Sequence, residues 1–179
     1  MVNEGLKLKT NWRIIKFSDP DGSIAAQARK GASIEQLVKA YLKNYLGIET
    51  IKGNVGLNEG IAEVLDLAFG LGSPTTFNTT TGRIGVGDSS AGEDPTQTGL
   101  QASTNKAFVL FDDTYPSRTN QTVTVRSTFG AGVGTFAWNE FTVTNGVDDT
   151  AKNLNRKVSA KGTKAAGESW IAEVAIALV

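Results

Sequence analysis

Apolar residues recur at three- and four-residue intervals twice in the first part of the chain. Ile34, Leu37, Val38, Tyr41, Leu42 and Tyr45 form one stripe, opened by Ser33 and Gln36 at capping-box spacing and stopped at Gly47, which predicts an amphipathic helix over 33–46. Ile61, Val64, Leu65, Ala68 and Phe69 form a second stripe, predicting a helix that starts near Asn58 as its cap and ends at Gly70 and Gly72. Its stripe is expected to bury itself on a sheet, the other reading being a helix that meets a partner. Ahead of both, residues 12–17 read as a strand that turns through Ser18-Asp19-Pro20-Asp21-Gly22 and returns over 23–28 as a hairpin.

From residue 73 onward the period falls to two. Thr, Gly and Asn separate short alternating runs, and strands are predicted over 83–86, 107–111, 121–129, 135–144, 154–160 and 170–178. In the run at 121–129, Val123, Val125 and Phe129 share one face and Thr122, Thr124 and Arg126 the other, so one side is expected to meet water. The last run alternates Trp170, Ala172, Val174, Ile176 and Leu178 against a second row that is apolar except at Glu173. That double apolarity predicts a central strand or an edge covered by another chain. The expected fold is therefore mainly β with two helices (α+β), an antiparallel, jelly-roll-like β-sandwich over 54–179 preceded by an N-terminal arm, hairpin and helix over 1–53. No internal repeat is found, which argues against a solenoid or propeller.

Composition narrows the chemistry. The 179 residues are 40% apolar and 20% charged, enough for a sizeable core, and 18 basic residues balance 18 acidic ones. There is thus no whole-molecule field to hold nucleic acid or an anionic membrane. The absence of Cys and His removes disulfides, thiolate zinc sites, Cys nucleophiles and Ser-His-Asp triads. The start lacks an apolar leader and the longest apolar run, 170–179, is far too short to span a bilayer, so a soluble, unprocessed chain is expected. The sequons at Asn78 and Asn120 then read as chance matches.

Several patterns imitate functional motifs. Gly85 and Gly87 follow a strand, but the third glycine and the helix of a dinucleotide fingerprint are missing. Gly87-Asp88-Ser89 has no histidine to act as its base. Asp19 and Asp21 open like a calcium loop, but no carboxylate follows at the closing position, where Arg29 and Lys30 stand, so an exposed turn is expected. The pairs Asp112-Asp113 and Asp148-Asp149 diverge on extended chain and are expected to be hydrated. Arg156, Lys157, Lys161 and Lys164 form the one basic cluster, read as a solvated hairpin rather than a nucleic-acid surface because no aromatic platform is interleaved. The sequence accordingly predicts no catalytic residue, no cofactor, no metal site and no small-molecule substrate. An enzyme working through carboxylates and lysines alone would need a pocket uniting Asp112 or Asp113 with Glu140.

The order of segments carries a resemblance. Asn58-Glu59-Gly60-Ile61 opening a helix is followed by Ile84-Gly85-Val86-Gly87-Asp88-Ser89, Gln97-Thr98-Gly99-Leu100-Gln101, Asn105-Lys106 and Tyr115-Pro116. Phe136-Ala137-Trp138-Asn139-Glu140-Phe141, Leu154-Asn155-Arg156-Lys157-Val158 and Lys161-Gly162-Thr163-Lys164 complete the series. Over 54–179 this order resembles a widespread family of small tailed-bacteriophage virion structural proteins. The resemblance implies a virion component without fixing its position on the particle, and the first expectation within that class is a non-enzymatic capsid decoration or cement protein that bridges major capsid protein subunits on the head exterior as a homo-oligomer. The alternative is a tail, neck or baseplate accessory, an adaptor or host-surface module in which Tyr115 and Trp138 are candidate glycan platforms, although Trp138 is expected to be buried. Residues 1–53 depart from the pattern and are expected to dock. Leu6, Leu8 and Trp12 of the arm and Ile176 and Leu178 of the final strand are the candidate interface residues, by strand addition to a neighbour.

Overall fold

The structure, a computed structural model, describes residues 8–178. In chain order the elements are β1 (Leu8–Ser18), α1 (Ser23–Arg29), α2 (Ile34–Ala40), β2 (Tyr45–Lys52), β3 (Val55–Gly56), α3 (Asn58–Phe69), β4 (Arg83–Gly87), β5 (Lys106–Leu110), β6 (Ser117–Thr119), β7 (Thr122–Phe129), β8 (Glu140–Thr144), β9 (Asn153–Val158) and β10 (Glu168–Leu178). They build two five-stranded antiparallel sheets, ordered β2-β1-β10-β7-β6 and β3-β9-β8-β4-β5. The pairings β1 with β10, β3 with β9 and β4 with β8 are nested, the first-with-last arrangement by which a jelly roll curls two sheets face to face.

Alternation along the strands supplies the core between the sheets. Trp12, Ile14, Val125, Phe129, Trp170, Ala172 and Val174 from the first sheet meet Ile84, Val86, Phe141 and Val143 from the second. Trp138 sits at the centre, edge-on to Phe129 at 4.7 Å and to Trp170 at 4.9 Å between ring centroids, and its indole N–H donates to the Gly134 carbonyl. On the far side of the first sheet, Ile15, Phe17 and Ile171 are covered by Ile24 and Ala28 of α1 and by Ile34 and Leu37 of α2. Both rows of β10 are apolar because one faces each of these two cores.

Several expectations are corrected. The return strand of the N-terminal hairpin is instead α1: Ile24, Ala25 and Ala28 fall on one helical face of an alanine-rich segment, and the turn at Gly22 (φ 73°) leads into it. Asp19, expected in an exposed turn, is buried and caps α1, accepting from the Ile24 and Ala25 amides and from the Ser169 hydroxyl. The capping box at Ser33 and Gln36 forms as expected, but α2 ends at Ala40, and a single turn over Leu42–Asn44 leads to β2. The β-branched and aromatic residues of 45–51 find their partner in β1, and pairing overrides the helical spacing. The described residues therefore hold three α-helices rather than two. Of the strand expected over 135–144, only Glu140–Thr144 is regular, the preceding residues forming a loop with one bridge from Ala137 to Thr163.

The expected division at residue 53 does not separate two bodies. From Leu8 on, that segment supplies β1, an inner strand paired with β10 along all eleven of its residues, together with β2 and the helical layer. Trp12 is fully buried in the core rather than available for docking. Ile176 is no edge residue either, since β10 is flanked by β1 and β7. Leu178 pairs with Leu8 and is partly exposed; Leu6 lies outside the described residues.

Candidate functional site

The residues that carry the family resemblance converge on one buried polar network, and it holds down a long irregular loop. Residues 88–105 contain no helix or strand, so their backbone groups need partners elsewhere. Glu140 of β8 and Arg156 of β9, both fully buried, bond at 2.8 Å. The Glu140 carboxylate also accepts from the Gln101 and Ala102 amides, at 2.8 and 2.7 Å, and the Arg156 guanidinium donates to the Ala91 and Gly92 carbonyls and to the Gln97 side chain. Gly87 is glycine because a Cβ there would lie 2.4 Å from Glu140 Oε1. Asn139 donates to the Asp88 carbonyl, the Asp88 carboxylate accepts from Asn105, and Lys157 pairs with Glu93 at 3.2 Å. Gly85 leaves room for the Phe108 ring, and Asn155 accepts from the Val143 amide.

The same motif set anchors α3. Glu59 accepts from the Asn153 amide at 3.0 Å, and Gly60 brings the helix against the backbone of Asn153 and Leu154. The cap position is Leu57, with no side-chain cap bond, so Asn58 is the first helical residue rather than the cap expected from the sequence.

A second network went unread in the sequence. Asp112, expected to be hydrated, is buried against Arg126 of β7 at 2.8 Å and accepts from the Thr128 amide and hydroxyl. Burial raises its carboxyl above the ordinary range, opposed by Thr128 and Arg126. Arg126, expected to face water, donates to the Ala28 and Ala32 carbonyls and so ties α1 to the first sheet. Asp112 and Glu140 thus belong to separate networks, each bound by its own arginine. Asp148 is exposed, as expected, and Asp149 pairs with Lys106.

The basic cluster also disperses. Arg156 and Lys164 are buried, Lys157 pairs with Glu93, and Lys161 pairs with Glu49. Lys164 donates to the Gly130 carbonyl at 2.9 Å, and burial pushes its ammonium down to about 8, with Glu168 and Asp19 pulling the other way. Because that value lies below the ordinary lysine value of 10.5, the unfolded chain binds more protons between the two, and stability rises as pH climbs from about 8 to 10.5. Lys164→Met is expected to remove this rise. Urea unfolding of both proteins across the window checks it, and parallel pH profiles would contradict the assignment.

What the interior does not use is found on the surface. Burial of the α3 stripe is corrected: Gly60 is its one buried residue, while Leu65 is 50% and Phe69 74% exposed. Between α3 and the sandwich runs an apolar groove of about 470 Å³, lined by Leu8, Ile61, Leu65, Val123, Ile176 and Leu178 among others. Leu8, Ile176 and Leu178, proposed from sequence as interface residues, thus come together here, though through the groove and not through a free strand edge. A second exposed patch, Leu42, Leu46 and Ile48, lies along β2. Trp138 is buried, and the Arg126 guanidinium covers the Tyr115 ring at 4.7 Å, so neither presents an open stacking face. No helix among the described residues is long and apolar enough to cross a membrane. A scan against protein-family models and searches of curated proteins and of solved structures return no match to this chain.

Proposed function

We propose that the chain is a non-enzymatic bacteriophage virion structural protein, a capsid decoration or cement protein that bridges major capsid protein subunits on the head exterior as a homo-oligomer. The observation that carries this reading is the exposed stripe of α3 above its groove: a pre-formed apolar face, anchored at Gly60, on a body whose two strongest charge pairs are spent on internal scaffolding. The order of motifs in 54–179, resembling a virion family, supports the same reading. The mechanism is burial of apolar area across the seams between capsomers, so that internal pressure must break these contacts before the shell fails. Of the acidic side chains of α3, Glu59 is held by Asn153 and Glu63 by Thr75 and Asn145, which leaves Asp66 to favour a capsid surface that adds a basic residue to its apolar contact.

The test is the copy number of the protein in purified particles relative to the major capsid protein. A ratio near one, or a simple lattice fraction of it, is expected. A few copies per particle would move the protein to the tail, neck or baseplate, and absence from particles would end the virion reading. Leu65→Glu, at an exposed position, is expected to leave the circular dichroism spectrum unchanged and to reduce incorporation at least tenfold, because a desolvated carboxylate in an apolar contact opposes binding by more than about 1.4 kcal/mol. Undiminished incorporation would remove α3 from the contact.

A further inference from the structure

The four sheet edges are not alike. β3 has two residues, β6 three and β5 five, whereas β2 has eight and no strand on its outer side among the described residues. Short edges resist association, and a long edge without proline or an inward-pointing free charge invites it. The one carboxylate of β2, Glu49, is already engaged by Lys16 and Lys161. Its exposed row begins with Leu46, 53% exposed, and Ile48, 44% exposed.

The ladder defines which backbone groups are free. The Gly53 amide donates to the Thr10 carbonyl, and the β1–β2 register runs Asn11 to Lys52, Arg13 to Thr50 and Ile15 to Ile48. Antiparallel ladders alternate, so Ile51 and Glu49 bond to β1 while the N–H and C=O groups of Thr50 and Ile48 point outward. We infer that this edge pairs with the β2 edge of a second copy, antiparallel about a two-fold axis at Ile48, joining two five-stranded sheets into one of ten strands. Self-pairing in this register sets Ile48 against the other Ile48 and Leu46 against Thr50, with no like charges opposed. Shifting the axis to Glu49 would oppose two carboxylates, which selects against that register. A second copy therefore matches the edge in hydrogen bonding, in apolar contact and in charge. The α3 face does not self-match in this way, since its charges are all acidic.

This inference rests on the self-association contained in the proposed function, and measurements on the free protein separate its failure from failure of the virion role. Light scattering during size exclusion of the full chain is expected to give a dimer at micromolar concentration. Ile48→Lys is expected to halve the mass while leaving circular dichroism unchanged. Because the chain contains no cysteine, Ile48→Cys offers a second test that does not weaken the edge: mild oxidation is expected to yield a disulfide-linked dimer, and Lys9→Cys, away from the axis, is expected to yield none. A wild-type monomer, an oligomer whose mass Ile48→Lys leaves unchanged, or equal cross-linking of the two cysteine variants would overturn the inference.

Discussion

Glu140→Ala is expected to destabilise the fold by about 3–5 kcal/mol, a large share of the stability of a domain this size, because it leaves Arg156 charged, buried and unpaired. Replacing an isolated buried pair by apolar residues of similar volume is often neutral. Here the double substitution Glu140→Leu with Arg156→Met is expected to recover little. The two side chains also satisfy the amides of Gln101 and Ala102 and the carbonyls of Ala91 and Gly92, and removing both leaves these four backbone groups of the 88–105 loop without their partners. Equilibrium urea unfolding of the two variants checks this, with hydrogen exchange expected to show protection lost first in that loop. Wild-type stability in the double variant would mean that the loop is held by other contacts.

Gly60→Ala is expected to release α3 while sparing the sandwich. A Cβ at this position would stand 2.3 Å from the Asn153 carbonyl oxygen and from Leu154 Cα, both backbone atoms of β9 that cannot swing away as a side chain would. Either β9 shifts or the helix lifts. The helix is the cheaper of the two to move, because its stripe is largely exposed and Gly60 is its one buried residue. The expected cost is about 3 kcal/mol. Hydrogen exchange should show α3 amides deprotected while β1, β7 and β10 keep theirs, and particle incorporation should fall with Leu65→Glu. Uniform loss of protection would mean instead that α3 and the sandwich unfold as one unit.

What could be read from sequence was what local spacing encodes. The capping box at Ser33, the strands around 83–87, 106–110, 122–129 and 168–178, and burial of Trp138 follow from period and polarity within a few residues. In the N-terminal segment local cues compete. Tyr41, Leu42 and Tyr45 keep helical spacing into β2, and the Asp-Pro-Asp-Gly turn looks the same whether a strand or a helix follows. The charge networks were illegible for a different reason. Asp112 reaches Arg126, and Glu140 reaches Arg156, only once strand register is known, and nothing in an isolated Asp-Asp or Arg-Lys pair distinguishes a buried member from a hydrated one. Motif order did single out Gly87, Asp88, Asn139, Glu140 and Arg156 together, and these residues form the clasp on residues 88–105. Exposure of the α3 stripe depends on which elements pack over the helix in three dimensions, which no periodicity records.

The pairing of β1 with β10 has a consequence for biosynthesis. The contact between Arg13 and Glu173 spans 160 residues of sequence, and the centre of the first sheet is made of such contacts. While the chain is being made, β1 must wait beside an unfilled place, with Trp12, Ile14 and Phe17 lacking their partners, until β10 leaves the ribosome. The first sheet therefore cannot close before β10 is made, and folding is expected to be slow for a domain of this size, since loop closure precedes most of the stabilising contacts. Apolar surface exposed during such an interval is what makes incompletely folded chains prone to aggregate. The same arrangement makes closure all-or-none at the C-terminal strand: a product stopped before residue 168 lacks the strand that supplies both cores.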